Sequence, residues 1–206
     1  MDKLRTQIKM CGLRRPEDIR AVNGLKPEYI GFVFFPGSRR YITPEAARTL
    51  KEILDPGIEA VGVFVDENPE TVAELLADRT IDMAQLHGHE DEQYLAHLRE
   101  LTGRPLIQAF RIRSAEDAVR AQASSADWIL LDAGAGDGRM FDWNWLRTVE
   151  RPYFLAGGLT PENAGRAVKE LKPYAVDVSS GIETGGFKDV QKMRAFIQAV
   201  RTEDEK

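Results

Sequence analysis

The sequence predicts an α/β chain closed into one compact (β/α)8 barrel of the TIM type with shortened loops, and three observations lead there. Apolar, β-branched runs of strand length recur eight times. Between them apolar residues return every three or four positions, the signature of amphipathic helices covering a sheet. Four helix starts carry the same Pro-Glu pair. Strand-then-helix units give parallel strands with right-handed crossovers, and eight of them most economically close on themselves. An open doubly wound sheet would normally show a glycine fingerprint after its first strand, where Lys9-Met10-Cys11-Gly12-Leu13-Arg14 has a single glycine.

The strands are expected at 7–11, 29–34, 60–65, 82–87, 106–111, 128–132, 153–156 and 175–179. In the first, alternation puts Lys9 and Cys11 on the face opposite Ile8 and Met10. Pro16-Glu17, Pro44-Glu45, Pro69-Glu70 and Pro161-Glu162 mark helix starts, because proline lacks an amide hydrogen that would be unpaired there and glutamate suits the positive helix end. Thr43, Asn68 and Thr160 precede three of these prolines as N-caps. Pro27-Glu28 departs from the rule and leads into a strand. Val72, Leu75 and Leu76, then Ala164, Ala167, Val168 and Leu171, and finally Val190, Met193, Ile197 and Val200 trace helical stripes. Each unit is short, about 25 residues against roughly 31 in a typical barrel, which predicts an abbreviated helix around 144–149. The charged segment 202–206 is expected to fray.

The 206 residues, 43% hydrophobic and 30% charged, suit one domain spanning 1–206 around one core. Lys and Arg number 28 against 33 Asp and Glu, a net charge of −5 without long blocks of one sign. That leaves no electrostatic footprint for nucleic acid or an anionic membrane. No apolar run approaches the ~18 residues of a span, and no signal-peptide core follows the N-terminus. The lone cysteine excludes an internal disulfide and points to a reducing cytoplasm. Three histidines without paired spacing and no second cysteine argue against a zinc site, and no other cofactor is called for. The tryptophans read as packing residues, and His89 and His97 as surface positions. Monomer and homodimer both stay open.

In such a barrel the site lies at the C-terminal ends of the strands. These ends are Cys11-Gly12, Gln85-Leu86-His87-Gly88, Leu131-Asp132, Ala156-Gly157-Gly158 and Asp177-Val178-Ser179-Ser180-Gly181. Glycine-rich turns after strands seven and eight let backbone amides converge on an anion, so Gly157, Gly158, Ser180 and Gly181 read as a phosphate cradle. Cys11 and Asp132 can divide base and acid roles across the mouth, provided the thiolate is favoured, with Lys9 the first candidate to do so, and the carboxyl is desolvated. Barrel closure makes strands one and eight neighbours, so Lys9 and Asp177 should interact.

Across nearly the whole chain these segments, together with Gly31-Phe32-Val33-Phe34, Ser38-Arg39-Arg40-Tyr41-Ile42, Val61-Gly62-Val63-Phe64-Val65 and Phe141-Asp142-Trp143, resemble the phosphoribosylanthranilate isomerase family of tryptophan biosynthesis. The resemblance implies an Amadori rearrangement of a phosphorylated aminoaldose to an aminoketose. Position by position, it makes Cys11 the general base, Asp132 the general acid, Arg40 rather than Arg39 the holder of the anthranilate carboxylate, and Asp177 a neighbour of the sugar hydroxyls. It also places a histidine at His87, as a substrate contact or a packing residue. A carboxylate suits the guanidinium fork. The segment Ala135-Gly136-Asp137-Gly138-Arg139-Met140-Phe141 departs from the family pattern, and the turn Gly185-Gly186-Phe187-Lys188-Asp189 carries no functional reading.

Two alternatives compete. A histidine-pathway aminoaldose isomerase on the same scaffold would favour a carboxylate at the first strand end and a second phosphate cradle, where this chain has Cys11 and Val65-Asp66-Glu67. A non-catalytic phosphosugar-binding barrel draws support only from the unusual 137–140 segment.

Overall fold

In the computed structural model, which describes residues 5–133 and 143–206, eight parallel strands pair in chain order and close, with β8 returning to β1. They are β1 (Gln7–Cys11), β2 (Tyr29–Val33), β3 (Glu59–Phe64), β4 (Met83–Leu86), β5 (Leu106–Arg111), β6 (Trp128–Asp132), β7 (Tyr153–Ala156) and β8 (Ala175–Val178). Four match the expected bounds and four differ by a residue at one or both ends. Helices α1 (Pro16–Leu25), α2 (Pro44–Glu52), α3 (Pro69–Ala77), α4 (Glu92–Leu101), α5 (Ala115–Gln122), α6 (Pro161–Leu171) and α7 (Val190–Asp204) cover the outside. The abbreviated helix between β6 and β7 is a 3₁₀ segment, Trp143–Thr148. After β8 come a 3₁₀ turn, Ser180–Ile182, and a two-stranded hairpin of β9 (Glu183–Thr184) and β10 (Phe187–Lys188), which periodicity does not foretell.

All four Pro-Glu pairs open helices. Thr43 and Asn68 cap theirs through side-chain oxygens that accept from Ala46 and Glu70 amides, whereas the Thr160 amide donates to Asn163 Oδ1. The outward faces of the strands, Ile8, Met10, Ile30, Phe32, Leu86, Ile129, Leu131 and Val176 among them, pack under the helices. The inward faces form a separate layer of Tyr29, Val61, Met83, Ile107, Leu130, Phe154 and Ala175, so the barrel is filled rather than hollow. Trp128 stacks on Tyr174 with ring centres 4.3 Å apart, as a packing residue does. None of the described helices is long and apolar enough to cross a membrane.

The expected frayed tail is corrected. Helix α7 continues to Asp204, whose carboxylate accepts from the Thr6 amide at 3.2 Å and the Thr6 hydroxyl at 2.7 Å. Arg201 joins the same cluster, donating to the Thr6 carbonyl and, at 2.6 Å, to Glu28. Glu28 in turn accepts from the Ile8 amide at 2.7 Å. The irregular Pro27-Glu28 pair therefore supplies a carboxylate that ties α7 to the entry of β1. Part-buried charged hydrogen bonds of this kind are worth about 1.5–3 kcal/mol each. Arg201→Ala is expected to lower unfolding free energy by about 2 kcal/mol in urea titration; a change under about 0.5 kcal/mol would show the clasp to be incidental.

Candidate active site

Strand alternation decides what enters the mouth. Above the apolar layer the inward positions are Lys9 and Cys11 on β1, Val33 on β2, Val63 on β3, Gln85 on β4, Ala109 on β5, Asp132 on β6, Ala156 on β7 and Asp177 on β8. Most of these, with the loops above them, line a cavity of about 690 Å³, a size that holds a small ligand. The cavity wall includes Cys11, Arg40, His87, Asp132, Gly157, Gly158, Asp177 and Ser180. Gly181 is absent from that wall. It makes room instead, since a Cβ there would stand 2.0 Å from the Leu159 carbonyl oxygen, so the β7 and β8 loops meet backbone to backbone. Gly157 and Gly158 hold φ values of 97° and 65°, a region glycine adopts without strain.

At the cavity floor Lys9 has no solvent exposure. Its Nζ donates to Asp177 Oδ2 at 3.1 Å, the two residues being directly paired across β1 and β8. The expected Lys9–Asp177 contact is present. Asp177 Oδ1 is buried and has no partner among the described residues, although the residue lines the cavity. Burial would lower the Lys9 ammonium pKa, but the charges of Asp177 and Cys11 outweigh it and the net direction is up.

Cys11 lies above Lys9 and packs with Val33 and Val63. Glycine at position 31 permits this, because a Cβ there would fall 2.6 Å from Cys11 Sγ. Burial pushes the thiol above its ordinary value; the cations of Lys9 and Lys188 oppose that rise without cancelling it. The expectation that Lys9 favours the thiolate is right in direction and too small in effect, and Lys188 was not anticipated.

Across the mouth His87 Nε2 stands 3.5 Å from Asp132 Oδ2, and its Nδ1 lies 3.0 Å from Gln85 Nε2. With the Gln85 amide donating to Nδ1, the ring hydrogen sits on Nε2, toward Asp132. His87 therefore meets the carboxylate as well as the cavity.

Arg40 lies over the β1 turn, its stem so close to Gly12 that a Cβ there would be 2.3 Å from Arg40 Cδ. Its guanidinium binds Glu183 through Nε at 2.6 Å and Nη2 at 3.0 Å. Arg39 reaches the same carboxylate at 2.9 Å but is mostly exposed and outside the cavity wall. Lys188 completes the cluster, 2.8 Å from Glu183 Oε1. Despite burial, these donors hold the Glu183 carboxyl well down, at about 2. Sequence reasoning missed Glu183 and Lys188, along with Arg111 and Arg113 on the cavity wall; the one available signal was the odd turn at Gly185-Gly186. The atypical 135–140 segment lies outside the described residues.

Residues 8–199 match the family model described as N-(5'phosphoribosyl)anthranilate (PRA) isomerase. An N-(5'-phosphoribosyl)anthranilate isomerase of Acetivibrio thermocellus is 45% identical over 97% of both chains. The crystal structure of phosphoribosyl anthranilate isomerase from Thermotoga maritima superposes with a TM-score of 0.88 at 35% identity, covering 96% of this chain and 99% of that one. A structure of such an isomerase in complex with reduced 1-(o-carboxyphenylamino)-1-deoxyribulose 5-phosphate gives 0.86 at 35% identity, with the same coverage.

Because Cys11 is the only cysteine, its ionisation can be read by alkylation. The rate with iodoacetamide is expected to climb with pH to a midpoint above the ordinary thiol value of about 8.5, and Lys188→Met should move that midpoint higher still. A plateau reached below pH 8 would contradict the burial-dominated thiol.

Proposed function

The chain belongs to the N-(5'-phosphoribosyl)anthranilate isomerase family, and we propose that Cys11 and Asp132 share the proton transfers of its Amadori rearrangement. The isomerase converts the aminoaldose to 1-(2-carboxyphenylamino)-1-deoxyribulose 5-phosphate. One observation carries the residue assignment: Cys11 and Asp132 end β1 and β6, both face inward, and both border the cavity that Gly157, Gly158 and Ser180 border at the ends of β7 and β8.

The chemistry needs an acid first. Asp132, protonated, gives its proton to the furanose ring oxygen as the C1′–O bond breaks, and the anilino nitrogen supplies the electron pair for a C1′=N iminium ion. The Cys11 thiolate then removes the C2′ proton, leaving an enolamine that tautomerises to the ketone. The two groups reach the one cavity from different surroundings: a buried thiol flanked by two lysines on one side, a carboxyl beside His87 on the other. His87 Nε2–H is placed to steady the carboxylate once its proton has gone.

Binding follows from the remaining wall. Gly157, Gly158, Ser180 and Gly181 form the phosphate turn, with Gly181 acting by close packing rather than by facing the ligand. Asp177 lines the cavity, and its Oδ1 has no hydrogen-bond partner among the described residues, which supports its assignment near the sugar hydroxyls. Arg40 is the guanidinium that borders the cavity on the Cys11 side, which supports its assignment to the anthranilate carboxylate over Arg39.

Cys11→Ala and Asp132→Asn should each lower kcat by about 10²–10⁴, the usual loss for one acid or base, with inhibition by inorganic phosphate unchanged; wild-type turnover in either variant would reject its role. Arg40→Ala should raise KM more than it lowers kcat in the anthranilate fluorescence assay. An unaltered KM would move the carboxylate site elsewhere.

A further inference from the structure

The hairpin after β8 has no part in the chemistry above, yet it is built into the mouth. Its turn glycines, Gly185 and Gly186, have φ values of 59° and 81°, as a two-residue primed turn requires. Its backbone is tied down from three sides. Lys192 Nζ donates to the Glu183 carbonyl at 2.7 Å, the Asp189 amide donates to the Ile182 carbonyl at 2.9 Å, and Arg15 Nη2 donates to the Lys188 carbonyl at 3.2 Å. Arg14 and Arg15 also cover the ring of Phe187, at 5.0 and 4.6 Å from its centre.

The two side chains that this frame turns inward are buried and charged. Lys188 Nζ bridges Glu183 Oε1 at 2.8 Å and the Ser179 carbonyl at 3.0 Å, connecting the hairpin to the end of β8. Glu183 accepts four hydrogen bonds: Oε1 from Arg40 Nε and Lys188, Oε2 from Arg40 Nη2 and Arg39. Such a saturated carboxylate holds its donors in place.

Arg40 gives that carboxylate only one edge. A guanidinium has five N–H groups; Nε–H and one hydrogen of Nη2 go to Glu183. The Nη1–Nη2 end remains, with the geometry for a second carboxylate. One glutamate facing Arg39, Arg40 and Lys188 leaves the cluster two positive charges in excess (3 − 1), which draws an anion to that end.

We infer that Glu183, locked by Lys188, is a positioning residue for substrate recognition: it takes the Nε–Nη2 edge of Arg40 and thereby presents the Nη1–Nη2 end to the anthranilate carboxylate. The inference rests on the Arg40 assignment made above. Gly12 contributes from below, since any side chain there would displace the Arg40 stem.

Steady-state kinetics with phosphoribosylanthranilate test it. Glu183→Gln puts an amide N–H where Arg40 already has a donor. It should raise KM about tenfold, the loss of one charge-assisted bond, with kcat within about threefold and inhibition by inorganic phosphate unchanged. Because Lys188 would then be buried without its partner, the Glu183→Gln/Lys188→Met double variant is measured as well, and it should show the same KM rise. In an Arg40→Ala background, adding Glu183→Gln should alter KM less than about twofold. If Arg40→Ala raises KM while both Glu183 variants leave it unchanged or lower it, Glu183 is not a positioner and the Arg40 assignment stands. If Arg40→Ala itself has no effect on KM, both fail.

Discussion

A lysine with no solvent exposure is tolerable at the centre of a barrel because Asp177 lies directly opposite on the neighbouring strand. Removing either partner of such a pair leaves a buried charge and costs roughly 3–5 kcal/mol, so the pair binds the closure of β8 on β1 to the electrostatics of the mouth. It also sets the layers. Below it lie the apolar residues that fill the barrel; above it lie the side chains that meet a ligand. Cys11 is two positions up from Lys9 on the same strand face, and this is how the cation comes to act on the thiol.

The thiol shows how opposing effects combine. Two cations, Lys9 and Lys188, favour the thiolate, while burial and the Asp177 charge oppose it, and burial wins. A base held above its ordinary range is a stronger proton acceptor once ionised, and the cost is a smaller ionised fraction near neutral pH. The opposite carboxyl sits in a more open place beside His87, so the two groups differ in environment although they share one cavity.

Much of this was legible in the residues themselves. The β1, β5, β6 and β7 bounds follow from apolar runs, and the inward positions follow from strict alternation once a barrel is assumed. Cys11, Asp132 and Asp177 were therefore readable as neighbours of one mouth, and Lys9 as a partner of Asp177. Glu183 and Lys188 were not, because hairpin side chains obey neither helical nor strand period across so short a loop. The net direction of the Cys11 shift depends on burial, which no local pattern reports. Asp204 was expected to fray because its partner Thr6 stands 198 positions away in the chain.

The central claim is a division of labour, with Asp132 opening the ring and Cys11 removing the C2′ proton. Single-turnover rates with substrate carrying deuterium at C2′ separate the two steps. In Cys11→Ser proton removal is the slow step, so the isotope effect should be large. In Asp132→Asn ring opening becomes limiting, and the effect should fall toward one. A full isotope effect in Asp132→Asn, or none in Cys11→Ser, would contradict the assignment.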